Sequence, residues 1–172
     1  MSQEDSEQPK ILIVDDDKDV ATMYDTLLAQ EYETVVSYGG EECLGEIDET
    51  VDIVLLDRRM PGMSGDEVLD EIRNERDISP KVILLTAVNP DYDIIELDFD
   101  NYITKPVDKK SLTEAIDKAV EMRSNTEKEN KLAVLSEKKD ALESTKTETD
   151  LKQNDKYQKL KREVEKLRHE LE

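Results

Sequence analysis

Short apolar runs alternate with amphipathic stretches five times before residue 122. The runs cover residues 11–14, 34–37, 51–56, 82–86 and 102–104. Val and Ile are prominent in them, as in strands buried on both faces of a sheet. Between the runs, apolar residues return at helical spacing: Val20, Tyr24, Leu27 and Leu28; Val68, Leu69 and Ile72; Leu112, Ile116, Ala119 and Val120. Ser64 and Glu67 have the spacing of a capping box, and Asp108 is placed to cap the helix that follows Pro106. Strand alternating with helix predicts a doubly wound α/β fold with a five-stranded parallel sheet. The stretch between Thr86 and Tyr102 is weaker. Asn89-Pro90 opens it with a turn signal, and only one short helix is expected there.

From Ser124 onward Gly and Pro vanish and charges alternate in sign. Leu132, Leu135 and Leu142 fit an a/d heptad in which Lys139 takes the intervening a position. Asn154-Asp155 reads as a helix break. Tyr157, Leu160, Val164, Leu167 and Leu171 then form a second a/d seam. Lys159–Glu163, Lys161–Glu165, Lys166–Glu170 and Arg168–Glu172 have the spacing of i,i+4 ion pairs along the last helix. So narrow a seam cannot hold a lone helix folded. It needs the first tail helix, the α/β part or another chain against it, so a homodimer through residues 123–172 is one expectation. The chain divides into a disordered start over 1–8, an α/β domain over 9–122 and a charged two-helix tail, hairpin or coiled coil, over 123–172.

Charge changes the picture in one respect. The chain carries a formal net charge of −20, and all of it lies before the tail. Residues 1–123 hold 32 acidic against 12 basic residues, whereas residues 124–172 hold 12 of each. Acid spread over nearly every element fits either a very salty cytoplasm or a face for a basic partner. It gives the first part no basic patch for a phosphate backbone, and nucleic-acid binding through the balanced tail has no support. Cys43 is alone and reads as a small buried residue. His169, the single histidine, falls on a charged helix face and has no second ligand for zinc. The start lacks the basic end and apolar stretch of a signal peptide, and no apolar run approaches the roughly 18 residues of a membrane span. A cytoplasmic protein is expected, without a membrane partner.

The candidate chemistry lies where the strands end. Asp15 and Asp16 follow the first run, Asp57 closes the third, Thr86 the fourth, and Lys105-Pro106 follows the fifth. In open α/β sheets ligands bind beyond the carboxyl ends of the strands, so one parallel sheet brings these residues to one edge. Carboxylates packed there repel: two unit charges 4 Å apart cost about 4 kcal/mol at an effective dielectric of 20. Magnesium, a hard cation held by carboxylates, waters and phosphate oxygens, is the natural counterion, with Lys105 as a second positive charge. The backbone carbonyl of Arg59 is a further candidate ligand. An aspartate braced in this way can attack phosphorus and form an acyl phosphate. Magnesium, Lys105 and the Thr86 hydroxyl with nearby N–H groups would then take the three equatorial oxygens. Arg58 and Arg59 read as exposed charges balancing the acid.

Asp15-Asp16, Asp57 with Pro61 and Gly65 behind it, Thr86-Ala87 and Lys105-Pro106 together resemble the receiver domain of two-component response regulators. The resemblance covers about residues 9–122. It implies the flavodoxin-like strand order 2-1-3-4-5, and a phosphoryl group passed to Asp57 from a histidine kinase. It also implies magnesium anchored by Asp15 and Asp16, Thr86, Ala87 and Lys105 around the phosphoryl group, Thr86 and Tyr102 as a switch pair, and a cis Lys105–Pro106 bond. In this family such a domain signals by accepting the group and losing it again, without being an enzyme in the ordinary sense. A homodimer through the receiver face is a further expectation. Three features depart from the usual pattern: the short Thr86–Tyr102 interval, Asp98 where glycine is common, and Arg59 and Val88 at positions that influence how long the phosphoryl group survives. The tail is similar to the HalX module of halophilic archaea, through Asp140-Ala141-Leu142-Glu143 and Lys156-Tyr157-Gln158-Lys159-Leu160.

Two other readings compete. A receiver fold that no longer signals would serve as a scaffold dimerised by its tail. A phosphatase of the haloacid dehalogenase type would use the Asp15-x-Asp17 spacing with Asp15 as nucleophile, although Lys18 stands where that family tends to have glycine.

Overall fold

The computed structural model of the chain describes residues 8–87 and 89–172. The start expected to be disordered, apart from Gln8, and Val88 lie outside the described residues. Five parallel strands make one sheet: β1 (Lys10–Val14), β2 (Glu33–Ser37), β3 (Ile53–Asp57), β4 (Lys81–Thr86) and β5 (Asn101–Thr104), in the order β2-β1-β3-β4-β5. The register pairs Ile11 with Ile53, Asp57 with Leu85 and Thr86 with Thr104, which aligns the carboxyl ends of the central strands. The helices are α1 (Lys18–Leu28), α2 (Gly40–Glu46), α3 (Gly65–Asn74) and α4 (Lys109–Glu121), with a 3₁₀ turn, η1 (Tyr92–Glu96), between β4 and β5.

Period-two alternation along the strands feeds two cores. Ile11, Ile13, Ile53, Leu55, Ile83 and Leu85 face α1 and α4, against Tyr24, Leu28, Leu112 and Ile116. Leu12, Val14, Val54, Leu56, Val82 and Leu84 face α2 and α3, against Cys43, Val68, Leu69 and Ile72. Both faces are dry, which is why the strands read as continuous apolar runs. The caps fall as the sequence indicates. Ser64 and Glu67 close a capping box at α3, and the Asp108 carboxylate accepts the Ser111 N–H at 2.8 Å at the start of α4.

The tail forms three helices, where the pattern predicts two: α5 (Glu127–Thr145), α6 (Glu148–Gln153) and α7 (Asp155–Glu170). The polar stretch after Thr145 still supplies caps. The Thr147 hydroxyl accepts the Asp150 N–H at 3.1 Å, and Asn154 accepts the Tyr157 N–H at 2.9 Å. Two polar caps thus turn an expected linker into one short helix and the start of the next. The seam of α7 is filled from within the chain. Tyr157, Leu160 and Val164 join the same core as Leu12, Val54, Ile94 and Phe99, and Leu142 of α5 is fully buried beside them. Leu171, the last seam residue, is exposed.

The tail charges also depart from expectation. Glu163 pairs with Lys131 at 3.1 Å, and Glu170 with Lys128 at 2.9 Å, both on α5. Two of the four acids expected to pair along α7 therefore bridge to its neighbour, where two charges meet without the weaker basic-to-acidic order along one helix. Lys139 lies at the margin and pairs with Glu143 at 3.0 Å. The inward residue is Lys138, only 5% exposed. Its Nζ donates to the carbonyls of Ile95 at 2.9 Å and Leu97 at 2.7 Å, and stands 5.0 Å from the Phe99 ring centroid.

Burial pushes the Lys138 ammonium down to about 8, opposed by Asp98 nearby. The folded state therefore binds fewer protons than the unfolded one between that value and the ordinary lysine range. Stability should rise with pH across this window. Thermal melts of the whole chain from pH 7.5 to 9.5 are expected to show the rise, and Lys138→Met should remove it. An equal slope in both proteins would place its origin elsewhere.

Candidate functional site

The site is assembled at the carboxyl edge of the sheet. Asp57, the last residue of β3, is 6% exposed, and Asp15, just past β1, is 2% exposed. Lys105 follows β5 from the far side. Its Nζ donates to Asp15 Oδ2 and to Asp57 Oδ1, each at 3.0 Å. Its backbone N–H donates to the Thr86 carbonyl at 2.7 Å, and the peptide bond to Pro106 is cis. One ammonium group thus holds two carboxylates from different strand ends, 90 and 48 positions before it in the chain.

Asp16 is exposed beside them. One carboxylate oxygen from each of Asp15, Asp16 and Asp57 lies within 4.8 Å of the others. Asp17 is turned out of this cluster. Its carboxylate caps α1 by accepting the N–H groups of Asp19 and Val20, at 3.0 and 3.3 Å. Asp15 in turn accepts the Asp17 N–H at 2.9 Å through Oδ1, which fixes its rotamer.

Burial pushes the Asp57 carboxyl up to about 6; Lys105 opposes the shift, and Asp15 and Asp16 add to it. Burial also acts against the Lys105 ammonium, but its bonds to Asp15 and Asp57 outweigh this and raise its pKa. One lysine among three carboxylates leaves the cluster negative. All-oxygen donors, one of them solvent-facing, fit a hard divalent cation that keeps part of its water.

Thr86, at the end of β4, is fully buried, and Ala87 beyond it is exposed. Arg59 is exposed just past Asp57. Tyr102 is 8% exposed, turned inward with its ring centroid 5.5 Å from that of Phe99. Its side chain is hydrogen-bonded by both Arg58 and Thr86.

Arg58 corrects the sequence reading. It is not an exposed charge but 4% exposed. Its Nε and Nη2 donate to the two Asp66 oxygens at 2.9 and 3.2 Å, and Nη2 also donates to Asp93 in η1. Burial works against its charge, and the bonds to Asp66 and Asp93 overcome it. No local signal marks it, since its partners lie 8 and 35 residues further along the chain. Two glycines shape the loop behind Asp57. Gly62 has φ 75°, a left-handed turn. A Cβ on Gly65 would stand 2.7 Å from the Arg58 Cα, so only glycine lets α3 start this close to β3.

Known proteins resemble this chain in sequence and in fold. The family model described as the response regulator receiver domain matches residues 11–117, and that of the HalX domain matches residues 123–172. A Haloferax volcanii protein with a transcriptional-regulator designation is 48% identical over 108 residues, which are 62% of this chain and 18% of that protein. The transcriptional regulatory protein CpxR of Klebsiella pneumoniae is 36% identical over 120 residues, 67% of this chain and 50% of CpxR. The chain thus spans half or less of the length of these curated relatives.

Among solved structures, a CheY-like response regulator receiver domain protein from Methanospirillum hungatei JF-1 superposes with TM-score 0.62 at 30% identity. The alignment covers 67% of this chain and 97% of that one. The response regulator TrrA from Thermotoga maritima, solved in complex with Mg(2+)-BeF, gives TM-score 0.55 at 33% identity, over 64% and 98% of the two chains. With the sheet order, the acidic edge and the family match in agreement, the chain belongs to the response regulator receiver domain family and carries a HalX domain behind it.

Proposed function

We propose that Asp57 accepts a phosphoryl group from a histidine kinase, and that the acceptor state of this residue is the signal the protein carries. The observation that supports this most strongly is the Lys105 ammonium set 3.0 Å from both Asp15 and Asp57. With its carboxyl near 6, Asp57 is mostly ionised at neutral pH and can act as nucleophile. One of its oxygens forms a bond to phosphorus while the bond from phosphorus to the donor breaks, and the electron pair leaves with the donor.

Lys105 offsets charge on one equatorial oxygen, and the Thr86 hydroxyl and the Ala87 N–H donate to another. Asp15, Asp16, Asp57 and the Arg59 carbonyl would hold magnesium, which supplies the remaining charge neutralisation. Asp17 is already committed to capping α1, so the phosphatase reading lacks its second acid. The separation at residue 122 into receiver and tail belongs to this proposal too, with the tail as the part that reads the switch.

The test is a mass measurement. Incubation with magnesium and acetyl phosphate should add about 80 Da, the mass of a phosphoryl group, to the wild type. Asp57→Asn should add none, while Asp48→Asn, remote from the site, should behave as wild type. An adduct that survives Asp57→Asn would reject the assignment. A wild-type chain that is folded but never modified would favour the scaffold reading.

A further inference from the structure

Behind Asp57 lies a second charge system that the phosphoryl chemistry leaves unused. Arg58 ties the end of β3 to two places at once: Asp66 at the first turn of α3, and Asp93 in η1. On its opposite side the same η1 region is held by the tail. Lys138 donates to the Ile95 and Leu97 carbonyls. Lys146 pairs with Asp91 at 3.0 Å and stands 5.1 Å from the Tyr92 ring centroid. Lys156 pairs with Glu96 at 2.8 Å. A 3₁₀ segment of five residues that buries one side chain, Ile94, has little of its own to fix it. Beyond that one apolar anchor, its position is set by one arginine on the receiver side and three lysines on the tail side.

We infer that η1 is a lever through which the state of Asp57 sets the docking of the tail, Arg58 holding Asp93 while Asp57 is unmodified and releasing it after phosphorylation. This rests on the reading of Asp57 as phosphoacceptor. A phosphoryl group brings charge and strong acceptor oxygens beside Thr86 and draws its hydroxyl away from Tyr102. Tyr102 is already inward against Phe99, so no large swing of the ring is left to carry a signal. What changes is the company of its side chain, which now leans on Arg58 alone.

Arg58 Nη2 serves Asp66 and Asp93 at once, so a guanidinium drawn toward Tyr102 gives up one of the two. Asp66 is held by two parallel bonds, the stronger geometry. Asp93 is held by a single nitrogen and its side chain is 55% exposed, so water replaces Arg58 there at little cost. Released on that side, η1 shifts, and the acceptors of Lys138, Lys146 and Lys156 shift with it. Two sites and one bistable element between them make this a coupling in the thermodynamic sense. Arg58 acts in it as a positioning residue and touches no reacting atom.

Hydrogen exchange read by mass spectrometry on the full chain tests the lever, with intact mass recorded on the same samples. In magnesium and acetyl phosphate, exchange across residues 127–145 and 155–170 should rise about fivefold over the unmodified protein, the scale of one partly exposed ion pair. Asp93→Asn should show a similar rise without any phosphodonor, take up the phosphoryl group as wild type does, and respond little further. Unchanged or slowed tail exchange in a fully phosphorylated wild type would overturn the lever. So would an Asp93→Asn chain whose tail responds to phosphorylation as fully as the wild type. If no adduct forms on the wild type, the phosphoacceptor reading itself has failed and the lever falls with it. An intact adduct with a silent tail rejects the lever alone.

Discussion

Lys105→Met is expected to slow phosphoryl uptake from acetyl phosphate about a hundredfold, the usual cost of losing one preorganised charge partner of a transferring group. The same variant should be less stable in the absence of divalent cations. Its methionine keeps most of the lysine stem but leaves Asp15 and Asp57 facing each other without a cation, at 2% and 6% exposure. Removing one partner from a buried pair costs about 3–5 kcal/mol. Here Asp57 escapes part of that by taking up a proton, and Lys105 is itself one-fifth exposed. About 2 kcal/mol at neutral pH is the expected loss. Magnesium should then stabilise the variant more than the wild type, since it replaces the missing charge. Urea melts in EDTA and in magnesium decide the matter. A variant as stable as the wild type in EDTA would mean that Lys105 does not compensate the acids.

Gly65→Ala should destabilise by about 2–3 kcal/mol, in the range of overpacking a close-packed contact. The new methyl group would meet backbone, the Arg58 Cα at 2.7 Å and the Arg58 carbonyl oxygen at 3.1 Å, which has no rotamer by which to retreat. The damage should not stay local. The Gly65 N–H donates to the Arg58 carbonyl at 2.8 Å, so pushing α3 away shifts the residue beside Asp57 and slows phosphoryl uptake as well. Gly45→Ala is the control. A Cβ there meets nothing within 4 Å, and the residue lies inside α2. It should gain up to about 1 kcal/mol from helix propensity. Equal behaviour of the two variants in urea melts would remove close approach as the reason for glycine at 65.

Much of this was legible because the relevant signals are local or repeat. Buried strands give unbroken apolar runs, and polar residues at their ends mark one edge once the sheet is parallel. Asp15, Asp57 and Lys105 were therefore readable without coordinates. Three features were hidden. Arg58 reads as a surface charge because its partners, Asp66 and Asp93, lie 8 and 35 residues away. Glu163 and Glu170 of α7 pair with lysines of α5, which no spacing within one helix discloses. Lys138 sits one position from the a site that the heptad assigns to Lys139, because the face of α5 is set by η1 and β5 as well as by α7. In each case the deciding contact is between elements whose order in space the sequence pattern does not give.

The shortness of η1 between β4 and β5 has a consequence for where this molecule can be cut. The two family matches part between residues 117 and 123, yet the hydrophobic interior does not. Leu142, Tyr157, Leu160 and Val164 pack in one continuous cluster with Val82, Leu84, Ile94 and Phe99. A receiver severed at that junction would bare this wall to solvent. Grafting the tail onto a receiver with a longer helix between β4 and β5 would fill this berth, so module exchange requires moving η1 and the tail as one piece.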